Sequence, residues 1–245
     1  GGYQVVFTTH SANMIGVSDA ADTLLIRRDR TGEDKGTTCL PTLREGVVKA
    51  IGHRSHQADT LFELSNSSKI LFAERVVLAE GKTEKDLLPD LIEYHTRESL
   101  ADAKMALVPL GGSGSVPTAV KVLKAMGLPY KVIVDLDFAF KVAPDHGWLD
   151  PSHDSFLAIK QILSDLQRRG DVALGDDSFP QNQRNALSAE QGWECLAAQP
   201  EAMPHIQRLH DQLKPEGLWL WPGGAIEAHL SIQKSDNARQ QFLRR

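Results

Sequence analysis

An α/β fold with a parallel sheet flanked by helices and broken by a helical insertion is predicted by three features of this 245-residue sequence. From about residue 74, short apolar runs alternate with helix-length amphipathic stretches, the rhythm of βαβ units. Between Phe138 and about Gly217 strand character disappears and helical spacing replaces it. Acids and glycines fall where the apolar runs end, the edge at which open parallel sheets gather ligands.

The chain opens on Tyr3 to Ser11 (YQVVFTTHS), a buried-strand pattern with almost no lead-in. Domains seldom begin mid-strand, so a fragment whose upstream partner strands lie outside it is expected. Residues 23–28 (TLLIRR) and 37–43 read as short strands around the turn-rich Asp29 to Gly36. Val47, Val48 and Ile51, then Leu61, Phe62 and Leu64, give 44–72 helical spacing. Arg75 to Ala79 (RVVLA) is a strand, Thr83 to His95 a helix, Lys104 to Leu110 a strand and Val116 to Met126 a helix. Tyr130 to Leu136 (YKVIVDL) is the next strand. In the insertion, Phe156, Ile159, Leu163 and Leu166 line one helix face, and Ile206, Leu209 and Leu213 suit another. A last strand, Leu218 to Trp221, precedes Pro222-Gly223-Gly224 and a helix starting near Ala225.

Composition narrows the function classes. A hydrophobic fraction of 41% supports a sizeable core, and two cysteines, Cys39 and Cys195, suffice neither for a disulfide framework nor for a four-thiolate zinc site. No apolar run reaches membrane-span length, and no signal segment opens the chain, so a cytoplasmic protein with no membrane partner is expected. The net charge of −5 speaks against a generally basic nucleic-acid binder, although bound cations can supply positive charge locally.

Five acids carry the chemistry. Glu80 ends a strand, Gly81 permits a tight turn, and Glu84 lies in the next helix's first turn, with Thr83 available as its N-cap. Asp135 and Asp137 close the YKVIVDLD strand, and period-two alternation points both the same way. Glu227 follows a strand and a Gly-Gly turn, within reach of the same sheet edge. Five carboxylates without histidine or cysteine partners suit hard ions, Mg²⁺ or Mn²⁺, rather than zinc. Two such ions about 3.5–4 Å apart activate a water and stabilise the leaving oxygen in phosphodiester cleavage. The loop Gly111-Gly112-Ser113 ends another strand, where backbone N–H groups and a hydroxyl can hold a phosphate oxygen; a plain flexible turn also explains it. A pair of solvated acids at a helix N-terminus is the lesser reading of Glu80 and Glu84, and Lys82 suits either a phosphate or the local negative charge. Arg168-Arg169 reads as a helix-dipole cap.

Together VLAEGKTEKDLLP, VPLGGSGSV, VIVDLD and GGAIE resemble the Toprim domain of the OLD (overcoming lysogenization defect) family of nucleases. The opening VVFTTHSANMI is similar to the switch-histidine segment of the ABC-type ATPase domain that precedes Toprim in that family. The resemblance implies a Toprim (Rossmann-like) domain over 69–245, with its helical insertion at about 139–217, after an ATPase tail and linker over 1–68. It implies a Mg²⁺- or Mn²⁺-dependent DNA endonuclease with two ions held by Glu80, Glu84, Asp135, Asp137 and Glu227. His10 would face the γ-phosphate of ATP in the intact protein. The family's basic residue beyond the last glutamate would stabilise transition-state charge, and Lys234 is the candidate. No Walker A, signature or Walker B motif is present, so no ATPase activity is expected of this chain; ATP belongs to the full-length protein. DNA and the missing N-terminal ATPase domain are the implied partners, with a homodimer open. Topoisomerase and primase activities are disfavoured: Tyr3, Tyr94 and Tyr130 occupy no cleavage-domain setting, and two cysteines make no zinc ribbon. The alternative is a metal-stabilised DNA-binding or oligomerisation module with no nuclease activity of its own, motivated by the large insertion.

Overall fold

The computed structural model describes residues 6–9, 11, 14–15, 19, 21–28, 36–52, 69–184 and 186–244. His10, Leu61, Phe62 and Leu64 lie outside the described residues. The described chain clusters into two compact units, 1–77 with 98–108 and 117–130, and 78–97 with 109–116 and 131–245.

In the first unit β1 (Leu25–Arg28) and β2 (Thr37–Leu40) pair antiparallel, Leu25 opposite Leu40 and Arg28 opposite Thr37. Helix α1 (Leu43–Ile51) is opened by a capping box in which Thr42 Oγ1 accepts from Glu45 N–H and the Glu45 carboxylate accepts from Thr42 N–H. Gly46 of α1 lies against Met126: a Cβ there would fall 2.5 Å from Met126 Cγ. Residues 6–9 are not in a strand, and Val6 and Phe7 are exposed. A strand needs a hydrogen-bonded neighbour, and no described strand pairs with them.

The central sheet has four parallel strands in the order β4-β3-β5-β6. These are β3 (Arg75–Ala79), β4 (Met105–Pro109), β5 (Tyr130–Val134) and β6 (Leu218–Leu220). Rising registers show the direction: Val76 N–H donates to Pro129 C=O, and four residues on Glu80 N–H donates to Ile133 C=O. Val132 stands opposite Leu218 and Val134 opposite Leu220. The β-branched content of RVVLA and YKVIV suits a strand covered on both faces, and Leu78, Val132, Val134 and Leu220 are fully buried. Helix α2 (Lys82–Thr96) buries Leu87 and Leu88, and α3 (Val116–Ala125) buries Val120, Val122 and Leu123. No helix among the described residues is long and apolar enough to cross a membrane.

The insertion, in the second unit, begins with the one-turn α4 (Phe138–Lys141) and continues through α5 (Asp154–Arg169), α6 (Ala189–Ala197) and α7 (Met203–Leu213). Phe156, Ile159, Leu163 and Leu166 of α5 and Ile206, Leu209 and Leu213 of α7 are all buried, the faces their spacing predicts. Phe140 packs at the centre of the insertion: its ring lies 5.0 Å from Phe156, 5.0 Å from Trp193 and 5.7 Å from Phe179. Arg168 and Arg169 end α5 and pair with Asp165 and Asp171, a dipole-complementing cap. Two short helices, α8 (Ile226–Leu230) and α9 (Asp236–Leu243), close the described chain.

Candidate metal centre at the sheet's carboxyl edge

The carboxyl ends of β3, β4 and β5, together with α2 and everything from Lys131 on, belong to the second unit, so all the acids singled out above share one body. Glu80 follows β3 directly. Its N–H is bound to Ile133 and its carbonyl accepts from Gly112 N–H at 2.9 Å, which fixes its main chain on both sides. Its Oε2 accepts from Asp135 N–H at 3.1 Å. Burial, then the charge of Asp137, lifts the Glu80 carboxyl to about 7. Burial, then repulsion from Glu80 and Glu84, lifts Asp135 to about 9. Asp135 Oδ1 is buried without a hydrogen-bond partner, a state proteins rarely leave uncompensated.

Asp137 reaches the site by a different route from the one alternation predicts. β5 ends at Val134, and Asp137 has αR backbone (φ −64°, ψ −23°) at the N-cap of α4. The ladder stops where Trp221 N–H meets Val134 C=O, and the chain then turns, with Leu136 N–H donating to Gly224 C=O. Asp135 and Asp137 still line one cleft, because the turn replaces the pleat. Asp137 Oδ2 accepts from Lys141 at 3.3 Å.

Glu84 and Glu227 lie deeper. Both are buried, and Glu84 is held above the usual carboxylate range by burial and by the charge of Glu227. Glu84 Oε2 folds back over Gly81, where a Cβ would come within 3.3 Å. The helix N-cap is Gly81, with no side-chain bond, rather than Thr83. Thr83, the second residue of the helix, is buried and donates its hydroxyl to Glu227 Oε1 at 2.6 Å. Lys82 is committed to charge balance, with Asp236 at 2.9 Å and Asp86 at 4.0 Å.

A cleft of about 290 Å³ opens over Glu80, Asp135 and Asp137. Its opposite wall comes from the insertion: Asn182, Ser188, Glu190 and Trp193. Sequence reasoning did not find this wall; the Ser188–Gln191 capping box that opens α6 beside Glu190 was the available local signal. Lys234, between α8 and α9, lines the cleft and pairs with Glu190 at 3.3 Å. Burial would lower its pKa, but Glu190, Glu227 and Asp135 outweigh that and raise it. Gly224, at φ +116°, passes so close to α6 that a Cβ would meet Glu194 Cγ at 3.1 Å. The Gly111-Gly112-Ser113 loop packs beside Glu80 through Gly112 N–H, and its residues are not among those lining the cleft. Among the described residues, no three His, Cys, Asp or Glu side chains are gathered closely enough to hold an ion as they stand.

Residues 71–137, from just before β3 to Asp137, match the family model for the Toprim domain of overcoming lysogenization defect protein-like proteins. Over that stretch the chain is similar to the OLD-like Toprim family. It is 29% identical over 244 residues to the Old nuclease of Escherichia phage P2, covering 99% of this chain and 40% of that relative. The chain thus spans about two-fifths of the relative's length. The matched stretch contains four of the five predicted acids, Glu80, Glu84, Asp135 and Asp137; Glu227 lies beyond it, in α8.

Proposed function

We propose that the cleft is the centre of a divalent-metal-dependent DNA endonuclease that hydrolyses phosphodiesters by a two-metal mechanism. The observation that carries this reading is Asp135: a buried carboxylate with an unpartnered oxygen, raised to about 9 beside a Glu80 raised to about 7. Buried like charges need a cation or protons, and an all-oxygen donor set of Glu80, Glu84, Asp135, Asp137 and Glu227 suits Mg²⁺ or Mn²⁺. The bound ions would activate a water and stabilise the leaving oxygen.

The chain's own groups supply the rest. Asp135 and Glu80, coupled through the Asp135 N–H, orient one another. Lys234, which lines the cleft and pairs with Glu190, is the basic group that would leave that pair to meet a non-bridging phosphate oxygen. Asn182 and Ser188 offer neutral donors to the DNA backbone from the facing wall. The relative's name, Old nuclease, and the length of that relative outside the match support the wider reading. In that reading residues 1–68 are the tail of an ABC-type ATPase domain, with His10 facing ATP, and cleavage is coupled to that ATPase in a cytoplasmic protein.

The direct test incubates the purified chain with supercoiled plasmid and Mn²⁺ or Mg²⁺, beside Asp135→Ala. Conversion to nicked or linear DNA by the wild type, falling at least about a hundredfold in the variant, is expected. Equal nicking by both proteins overturns the assignment. Divalent-ion binding by calorimetry with no cleavage of any DNA form would favour the binding-module reading.

A further inference from the structure

The C-terminal helix α9 reaches back to the acidic centre through one buried arginine. Arg239 lies on the inner face of α9, 8% exposed. Its Nη1 donates to Thr83 Oγ1 at 3.2 Å, its Nη2 to Asp236, and its Nε faces Asp86 at 3.4 Å. Thr83 in turn donates to Glu227 Oε1 at 2.6 Å. Thr83 thus meets Glu227, 144 positions away, and Arg239, 156 positions away, in a single buried line, Arg239 to Thr83 to Glu227.

The line has a direction fixed by elementary chemistry. A guanidinium stays protonated and has no acceptor, so Thr83 Oγ1 must accept from it. A hydroxyl has one proton, and with a lone pair committed to Arg239 that proton goes to Glu227. Reversal would require Arg239 to accept, which it cannot. Glu227 Oε1 is therefore held as an acceptor at a fixed place, and Oε2 is the atom left to meet a cation. The bond to Thr83 ties the short α8, only five residues long, to the first turn of α2 that carries Glu84. A five-residue helix has too few internal hydrogen bonds to fix a side chain by itself.

From this geometry we infer that Arg239 and Thr83 are positioning residues for Glu227, setting how tightly the acidic centre takes a divalent ion. The inference rests on the metal-centre reading given above. Partners of this kind orient the ligand rather than touch the ion, and their loss costs about 10–100-fold in metal affinity.

The test measures Mn²⁺ binding to the whole chain by calorimetry, with melting temperature as a folding check, for the wild type, Thr83→Val, Thr83→Ser, Arg239→Met and Glu227→Gln. Thr83→Val keeps the shape and removes the hydroxyl, so Mn²⁺ affinity should fall about 10–100-fold, whereas Thr83→Ser should restore it to near the wild-type value. Arg239→Met should follow Thr83→Val. If Arg239→Met unfolds, the Val and Ser pair at position 83 decides alone, since Ser keeps the hydroxyl that Val lacks. Thr83→Val binding as tightly as the wild type while Glu227→Gln loses affinity overturns the relay and leaves the metal centre standing. A wild type that binds no Mn²⁺ overturns the metal centre itself.

Discussion

The sheet's carboxyl edge and the helical insertion lie in one compact unit and face each other across one cleft, but they are stabilised by opposite means. The insertion is held by dispersion and apolar burial: Phe140, Phe156, Phe179 and Trp193 stack within 5.0 to 5.8 Å along the Phe140 and Trp193 contacts. Two of its orphaned polar atoms, Ser155 Oγ and Trp193 Nε1, are neutral and cost about 1–3 kcal/mol each at most. At the sheet edge one orphaned oxygen belongs to a carboxyl raised to about 9 among other carboxyls, and ionising a buried group of that kind costs far more. One wall therefore gains stability from its sequence, while the other gives some up. Strain of that kind persists where it serves a ligand.

The sharpest way to break this comparison is to damage each wall in turn. Phe156 is 2% exposed at the centre of the aromatic cluster, so Phe156→Ala should destabilise the chain by about 3–5 kcal/mol. The melting temperature should fall by roughly 2–4 °C for each of those kcal/mol. An unchanged melting temperature would mean the aromatic cluster does not hold the insertion.

Asp135→Asn should do the reverse. It removes a buried ionisable oxygen from beside Glu80 and keeps the shape, so in the presence of a chelator the variant should melt no lower than the wild type. Mn²⁺ protection of the fold against heat should disappear with it, since ligand-linked stabilisation vanishes when the ligand no longer binds. A chelated variant that melts well below the wild type would make Asp135 a structural acid and erase the contrast between the walls.

Much of this architecture was legible in the sequence, because strands and helix faces are written in local periodicity. RVVLA is β3 to the residue, and the α5 and α7 stripes are buried as spaced. The carboxylates were legible for the same reason: an acid at the end of a buried run is locally conspicuous. Asp137 shows the limit. VIVDLD alternates in sequence, yet the hydrogen-bond ladder ends at Val134, and only the neighbouring strand's length sets that point. Thr83 looked like a cap because its partner, Glu227, is 144 positions away. Arg239 and Glu190 were silent likewise, since a buried arginine on an otherwise polar helix and a glutamate reaching Lys234 are defined by long-range neighbours. Pairings of that range carry no period to read.

The smallest effect belongs to the insertion side and concerns pH. His210 of α7 is buried, its Nδ1 accepts from Leu220 N–H at 3.3 Å, and its ring meets Trp219 edge-on at 4.5 Å. Burial first, and the nearby Lys214 charge second, lowers its pKa below 6.5. In the unfolded chain the ring takes up a proton as pH falls through about 6.5, whereas the folded ring does so only at lower pH. Below 6.5 the unfolded state thus binds more protons, and stability drops as pH falls until the folded ring is protonated too. Protonation would also put a hydrogen on the nitrogen that accepts from Leu220. His210→Gln keeps an acceptor but does not titrate, so its melting temperature should change less than the wild type's between pH 7.5 and 5.5. Because every other titrating group is common to both proteins, that difference isolates the ring. Equal losses in the two would show that His210 is protonated as readily in the fold as outside it, and that this wall holds its ionisable group without cost.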